Sequence, residues 1–190
     1  LIVREKNELI ARDNPWGFRV QIPKYKFNRG ELYNLLIERG TLTEEERYII
    51  NDHMAQTIFM LDKLPLPGHL RAVPEIAGGH HEKIDGSGYP RGLTGGEMSI
   101  LAKIMAIADI FEALTANDRP YKRPNTLSQA LGILVKMAQE NHIDADLLAL
   151  FIQSGAYREY GQCYLQKNQC DEVDEIALLS TLATLNFVKN

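Results

Sequence analysis

Apolar positions in this chain recur at intervals of three and four rather than two, which is the spacing of helices with one buried face. Thr43-Glu44-Glu45-Glu46 has capping-box spacing and opens a helix that should run to about Leu64, where Pro65 and Pro67 end it. Ile50, His53, Met54, Thr57 and Leu61 share one face of it, so His53 is expected on the core side. A shorter helix is expected from Pro74 through Gly78-Gly79, a pair that costs helix stability and permits close backbone approach. Ser99 should cap a long helix ending near Asn117, with Leu101, Ile104, Met105 and Ala108 as its stripe and Asp109 and Glu112 at the border.

Further helices are expected over about Leu127–Glu140 and Asp144–Ser154, with a short helix or loop over 155–165 and a last docked helix over Ile176–Val188. An earlier helical pattern covers Glu31 to Glu38 and stops near Gly40. Residues 1–30 are irregular, broken by Pro15, Gly17, Pro23 and Gly30, with Arg19–Ile22 as a possible short strand. No repeat or strand alternation competes with these patterns. The fold class expected is all-α, a helical bundle with an irregular N-terminal segment. The organisation expected is a segment or linker at 1–30, a helical domain at 31–165 and a C-terminal extension at 166–190.

Composition narrows the function. The 190 residues carry 21 Lys and Arg against 25 Asp and Glu, a net charge of −4, which disfavours binding to a nucleic-acid polymer. No apolar run approaches the roughly 20 residues that span a bilayer. Cys163 and Cys170 match no zinc or redox spacing, and no signal peptide is visible, so the reducing cytoplasm is the default compartment. The chain begins at Leu1, as a fragment would.

The chemistry-bearing residues concentrate in the middle. His80 and His81 are adjacent, about 100° apart on a helix, and can address neighbouring metal positions. With His53 and Asp109 from two other helices they can form an N/O set suited to iron, manganese or zinc. Taken singly, His53 reads as a core histidine and Asp109 as a solvated or capping residue. Glu82, Glu112, His69 and His142 read as surface residues. Asp85-Gly86-Ser87-Gly88-Tyr89-Pro90 is a rigid turn that presents Tyr89, which could stack on a base or simply pack under the loop. Arg119, Lys122 and Arg123 could grip a phosphate or form an exposed basic turn.

Together these segments resemble the HD-GYP family of bacterial signalling domains. The likeness runs from Gly40-Thr-Leu-Thr-Glu-Glu-Glu-Arg47 and His53 through His80-His-Glu-Lys-Ile-Asp-Gly-Ser-Gly-Tyr-Pro90 to Ala106–Thr115 and Asp118-Arg-Pro-Tyr121, within about residues 31–155. The resemblance implies an HD-superfamily helical fold, a centre of two or three divalent transition metals, iron or manganese foremost, and hydrolysis of cyclic di-GMP or a related cyclic dinucleotide. It implies His53, His80, His81 and Asp109 as metal ligands, Gly88, Tyr89 and Pro90 beside the substrate, and Arg119 and Lys122 near its phosphates. The nucleophile it implies is a metal-activated water; no protein group is assigned that role. It also implies an upstream sensory domain and a homodimer as partners. The sequence departs at one place: the family's first His-Asp pair should fall near Lys24-Tyr25, where the chain reads Ile22-Pro-Lys-Tyr-Lys-Phe27. Hydrolysis and nucleotide sensing or protein contact without catalysis are therefore both open expectations.

Overall fold

In a computed structural model, residues 1–5, 10, 13–37, 42–117 and 124–188 are described. Two short antiparallel strands, β1 (Ile2–Val3) and β2 (Tyr25–Phe27), precede the helices α1 (Glu31–Leu35), α2 (Glu44–Asp62), α3 (Val73–Gly79), α4 (Ile100–Thr115), α5 (Leu127–Gln139), α6 (Ala145–Ser154), α7 (Ala156–Tyr164) and α8 (Glu175–Val188). The all-α expectation holds. The strand lies at Tyr25–Phe27, however, and Arg19–Ile22 is irregular, tied down instead by the Arg19 N–H donating to the Pro90 carbonyl at 2.8 Å.

Local chemistry sets the helix starts. Thr43 and Glu46 close a reciprocal capping box at α2, and Thr126 and Gln129 do the same at α5. Ser99 caps α4 through Ala102 N–H, and Asp144 caps α6 through the N–H groups of Asp146 and Leu147. The main core joins Ile107 and Phe111 of α4 to α5, α6, Tyr157 of α7 and Leu182 of α8. A smaller core gathers Phe18, Ala55 and Ile58; Trp16 stacks on Phe18, and Phe59 meets both rings edge to face.

Between α2 and α4 runs α3, and its glycine pair is what lets it fit. A Cβ on Gly78 would come within 2.7 Å of Ile58 Cδ1, and one on Gly79 within 2.9 Å of the Ala102 Cβ. These contacts also set the rotation of the flanking helices. The buried face of α2 is Tyr48, Met54, Ala55 and Ile58, so Ile50 and His53 are exposed rather than on the core side. In α4 the buried residues are Ala102, Ala106, Ile107, Phe111 and Thr115, whereas Leu101, Ile104, Met105 and Ala108 face outward. Both helices carry more apolar residues than one face can bury, so periodicity alone left their phase undecided.

Candidate functional site

The exposed side of α2 turns His53 toward the end of α3. There α3 ends at Gly79, and His80 and His81 follow directly after it. The His53 and His81 rings lie 5.2 Å apart centre to centre and edge to face, and those of His80 and His81 lie 4.4 Å apart. Tyr89 completes the group: its ring stacks on His81 at 4.9 Å and 19°, and its hydroxyl sits 3.0 Å from His81 Nδ1. Asp109, exposed on α4, acts electrostatically on both His81 and Tyr89.

The hydrogen bonds assign the ring nitrogens. His80 Nδ1 lies 2.7 Å from the Ala77 carbonyl, and His53 Nδ1 contacts the Ile50 carbonyl. An Nδ1–H donated to a carbonyl leaves Nε2 with a lone pair, the arrangement in which histidine ligates metals. Burial, reinforced by the neighbouring His80 and His53, pushes the His81 imidazole down to about 4 against the opposing pull of Asp109, so the ring is neutral near pH 7. Burial, then Asp109, raises the Tyr89 phenol, which stays protonated and can donate or accept. The donor chemistry therefore fits a divalent transition metal. Among the described residues, no three His, Cys, Asp or Glu side chains have their ligand atoms drawn together closely enough to hold one ion. The ring–ring distances describe a convergence, not a closed coordination set.

Glu82 corrects the sequence reading. It is a buried residue, only 2% exposed, rather than a surface one. Its Oε1 accepts from Arg91 N–H at 2.7 Å and its Oε2 from Leu93 N–H at 2.9 Å, so one carboxylate holds the far end of the turn that carries Tyr89 and Pro90. Gly88 lies against the same residue: a Cβ there would sit 2.4 Å from Glu82 Cα. Asp85 closes the near end, its Oδ1 accepting from Ser87 N–H at 2.8 Å, a bond that lowers the Asp85 carboxyl below its usual range. The Tyr89–Pro90 peptide is cis. His142 is also half-buried rather than a surface residue, and burial lowers it, while His69 and Glu112 are exposed as expected.

Two features escaped the sequence pattern. The N-terminal segment forms a wall of the site, through the Arg19–Pro90 bond and Arg91 Nε donating to the Trp16 carbonyl at 3.0 Å. Gln169, buried far along the chain, donates to the carbonyls of Thr115 and Asn125 at 2.9 and 3.1 Å and accepts from Asn117 Nδ2 at 2.8 Å. It thus ties together the residues on either side of Asp118–Arg123. Arg119 and Lys122 themselves, with Arg123, lie outside the described residues.

Comparison with known proteins gives this geometry a lineage. The chain is similar to the 3'3'-cGAMP-specific phosphodiesterase 3 of Vibrio cholerae, 41% identical over 53% of this chain and 21% of the relative. It is similar to 3'3'-cGAMP-specific phosphodiesterase 1 of the same organism, 33% identical over 73% of the chain and 33% of the relative. A cyclic di-GMP phosphodiesterase of Thermotoga maritima is 43% identical over 50% of the chain and 26% of that protein. The chain thus spans about a fifth to a third of the length of these relatives. The family model described as HD domain matches residues 2–147. With that match, the all-helical bundle and the His80–Pro90 segment folded around three converging imidazoles, the chain belongs to the HD domain family, as a member of its HD-GYP branch.

Proposed function

We propose that this domain hydrolyses a cyclic dinucleotide, cyclic di-GMP or 3'3'-cGAMP, in a metal-dependent reaction at the His53–His80–His81–Asp109 cluster. The observation that carries the reading is the convergence of three imidazoles beside Tyr89, two of them with Nδ1 turned to a backbone carbonyl. His53, His80, His81 and Asp109 would hold the divalent transition metal, iron or manganese. Such a metal, when bound, polarises a phosphodiester and activates water toward it. The chain's own residues do the positioning. The Ala77 and Ile50 carbonyls orient His80 and His53, and the Tyr89 hydroxyl orients His81. Glu82 fixes the Gly88-Tyr89-Pro90 turn against which the substrate would lie. Arg119 and Lys122 are assigned to the substrate phosphates, where cations offset charge building on the phosphoryl oxygens.

A second reading has its own support. Lys24 and Tyr25 occupy the place where the family resemblance would put a His-Asp pair, and the Lys24 ammonium lies over the Tyr25 ring at 5.2 Å. A domain built this way would bind the nucleotide without cutting it. In either reading the domain works in the cytoplasm, takes its signal from an upstream sensory domain and pairs with a second copy. No described helix is long and apolar enough to cross a membrane.

Turnover separates the two readings. The chain supplied with iron or manganese should convert cyclic di-GMP or 3'3'-cGAMP to a linear dinucleotide, detected by chromatography, and chelator should stop it. Binding without any product under the metal-supplied conditions would overturn hydrolysis and favour the second reading.

A further inference from the structure

Beside the histidine cluster lies a groove of about 550 Å³ walled by residues 19–24, by Glu44, Arg47, Tyr48 and Asn51 of α2, and by Ser87–Pro90. That volume lies within the range of small-ligand sites, roughly 300–1,000 Å³. Its charge runs against that of the chain. Arg19, Lys24 and Arg47 line it with Glu44 as the one opposing carboxylate, in a protein whose net charge is −4. The three cations come from separate places: an irregular segment, the approach to β2, and α2. Local sequence bias therefore does not explain their meeting.

The groove is coupled to the histidines by Tyr89, which lines it while stacking on His81. Its walls are also fixed to one another. Arg19 N–H donates to the Pro90 carbonyl at 2.8 Å, so the segment is tied to the turn at Arg19. Gly88 brings bare backbone to the groove surface, and Asn51 and Ser87 offer neutral hydrogen-bonding groups.

We propose that this groove is an anion subsite that takes a phosphate group of the cyclic dinucleotide through Arg19, Lys24 and Arg47. The proposal rests on the cyclic dinucleotide reading above and adds a subsite built from residues other than the proposed metal ligands. Its physical basis is the strength of charge-assisted bonds from Lys and Arg to phosphate oxygens and the concentration of one sign of charge in a concave groove. It also gives Lys24 a function at the place where the family pattern would have a metal ligand.

Calorimetry on the full chain in chelator tests it, with cyclic di-GMP and 3'3'-cGAMP as separate probes at low and high salt. Removing two charge-assisted contacts in Lys24→Ala/Arg47→Ala should weaken binding at least about tenfold and flatten its salt dependence. The milder Lys24→Gln/Arg47→Gln should do the same, while Lys136→Ala, on the exposed side of α5, should bind as the parent does. Unchanged affinity in both groove variants, salt-independent binding by the parent, or no binding of either probe would overturn the proposal. Binding that the groove variants weaken, in a chain that shows no turnover with metal, would refute hydrolysis and still support the subsite.

Discussion

The Tyr89 hydroxyl lies 3.0 Å from Nδ1 of His81 while the two rings stack at 4.9 Å, so one side chain fixes both the position and the hydrogen bonding of this imidazole. Outer partners of this kind typically change metal affinity 10–100-fold when removed. Tyr89→Phe keeps the stacking and loses the hydroxyl. It should weaken iron or manganese binding by about tenfold or more, measured by competition with a chelator of known affinity. Equal affinity in the variant and the parent would show that the hydroxyl does not orient a ligand.

Glu82 makes a different prediction, because its work is structural. Glu82→Ala leaves the Arg91 and Leu93 N–H groups of a partly buried turn without their carboxylate acceptor, at a cost of about 2–3 kcal/mol in urea unfolding. Glu82→Gln keeps one acceptor and should fall between the variant and the parent. A midpoint unchanged by the Ala substitution would mean that the turn is held elsewhere.

Gln169→Ala removes the bonds that join Thr115, Asn117 and Asn125. A buried carbonyl at Thr115 and a partly buried one at Asn125 then lose a donor, and the expected loss is about 1–3 kcal/mol by thermal or urea unfolding. A loss under about 0.5 kcal/mol, the range of ordinary surface substitutions, would contradict this bridging role.

The pH dependence of stability has a clear source in Asp144. It caps α6 and accepts from Lys103 Nζ at 3.1 Å. Burial alone would raise this carboxyl, but the bonds from Leu147 N–H, Lys103 and Asp146 N–H outweigh it and hold the group below its usual range. A carboxyl lowered in the folded state stabilises above its unfolded value near 3.9 and loses that contribution as pH falls through the folded value. Asp144→Ala should therefore cost about 1–2 kcal/mol at pH 7, with the gap from the parent closing below about pH 4. A gap that stays constant down to pH 3 would contradict the linkage.

The sequence disclosed some of this site and concealed the rest, for identifiable reasons. Capping residues act over three positions, so Thr43, Ser99 and Asp144 were readable as helix starts. The role of Gly78-Gly79 was readable because close approach is what paired glycines permit. Periodicity does not give the facing of His53, since Ile49, Ile50 and Met60 make the exposed side of α2 apolar too, and the packing of Ile58 against Gly78 and of Ala55 and Ile58 with Phe18 sets the rotation. Glu82 looked like a surface acid because its partners, the backbone N–H groups of Arg91 and Leu93, have no sequence signature. Arg19 and Trp16 reach the Tyr89–Pro90 turn, and Gln169 joins Thr115 to Asn125, through contacts between residues far apart along the chain, which periodicity does not register.

The central claim is that His53, His80, His81 and Asp109 form a metal centre, and metal content tests it most directly. Elemental analysis of the chain, purified both aerobically and anaerobically, should find about one equivalent or more of iron or manganese, and His80→Ala/His81→Ala, still folded by circular dichroism, should retain almost none. Metal content that is the same in the variant and the parent, or a parent that takes up no metal under either condition, would contradict the account.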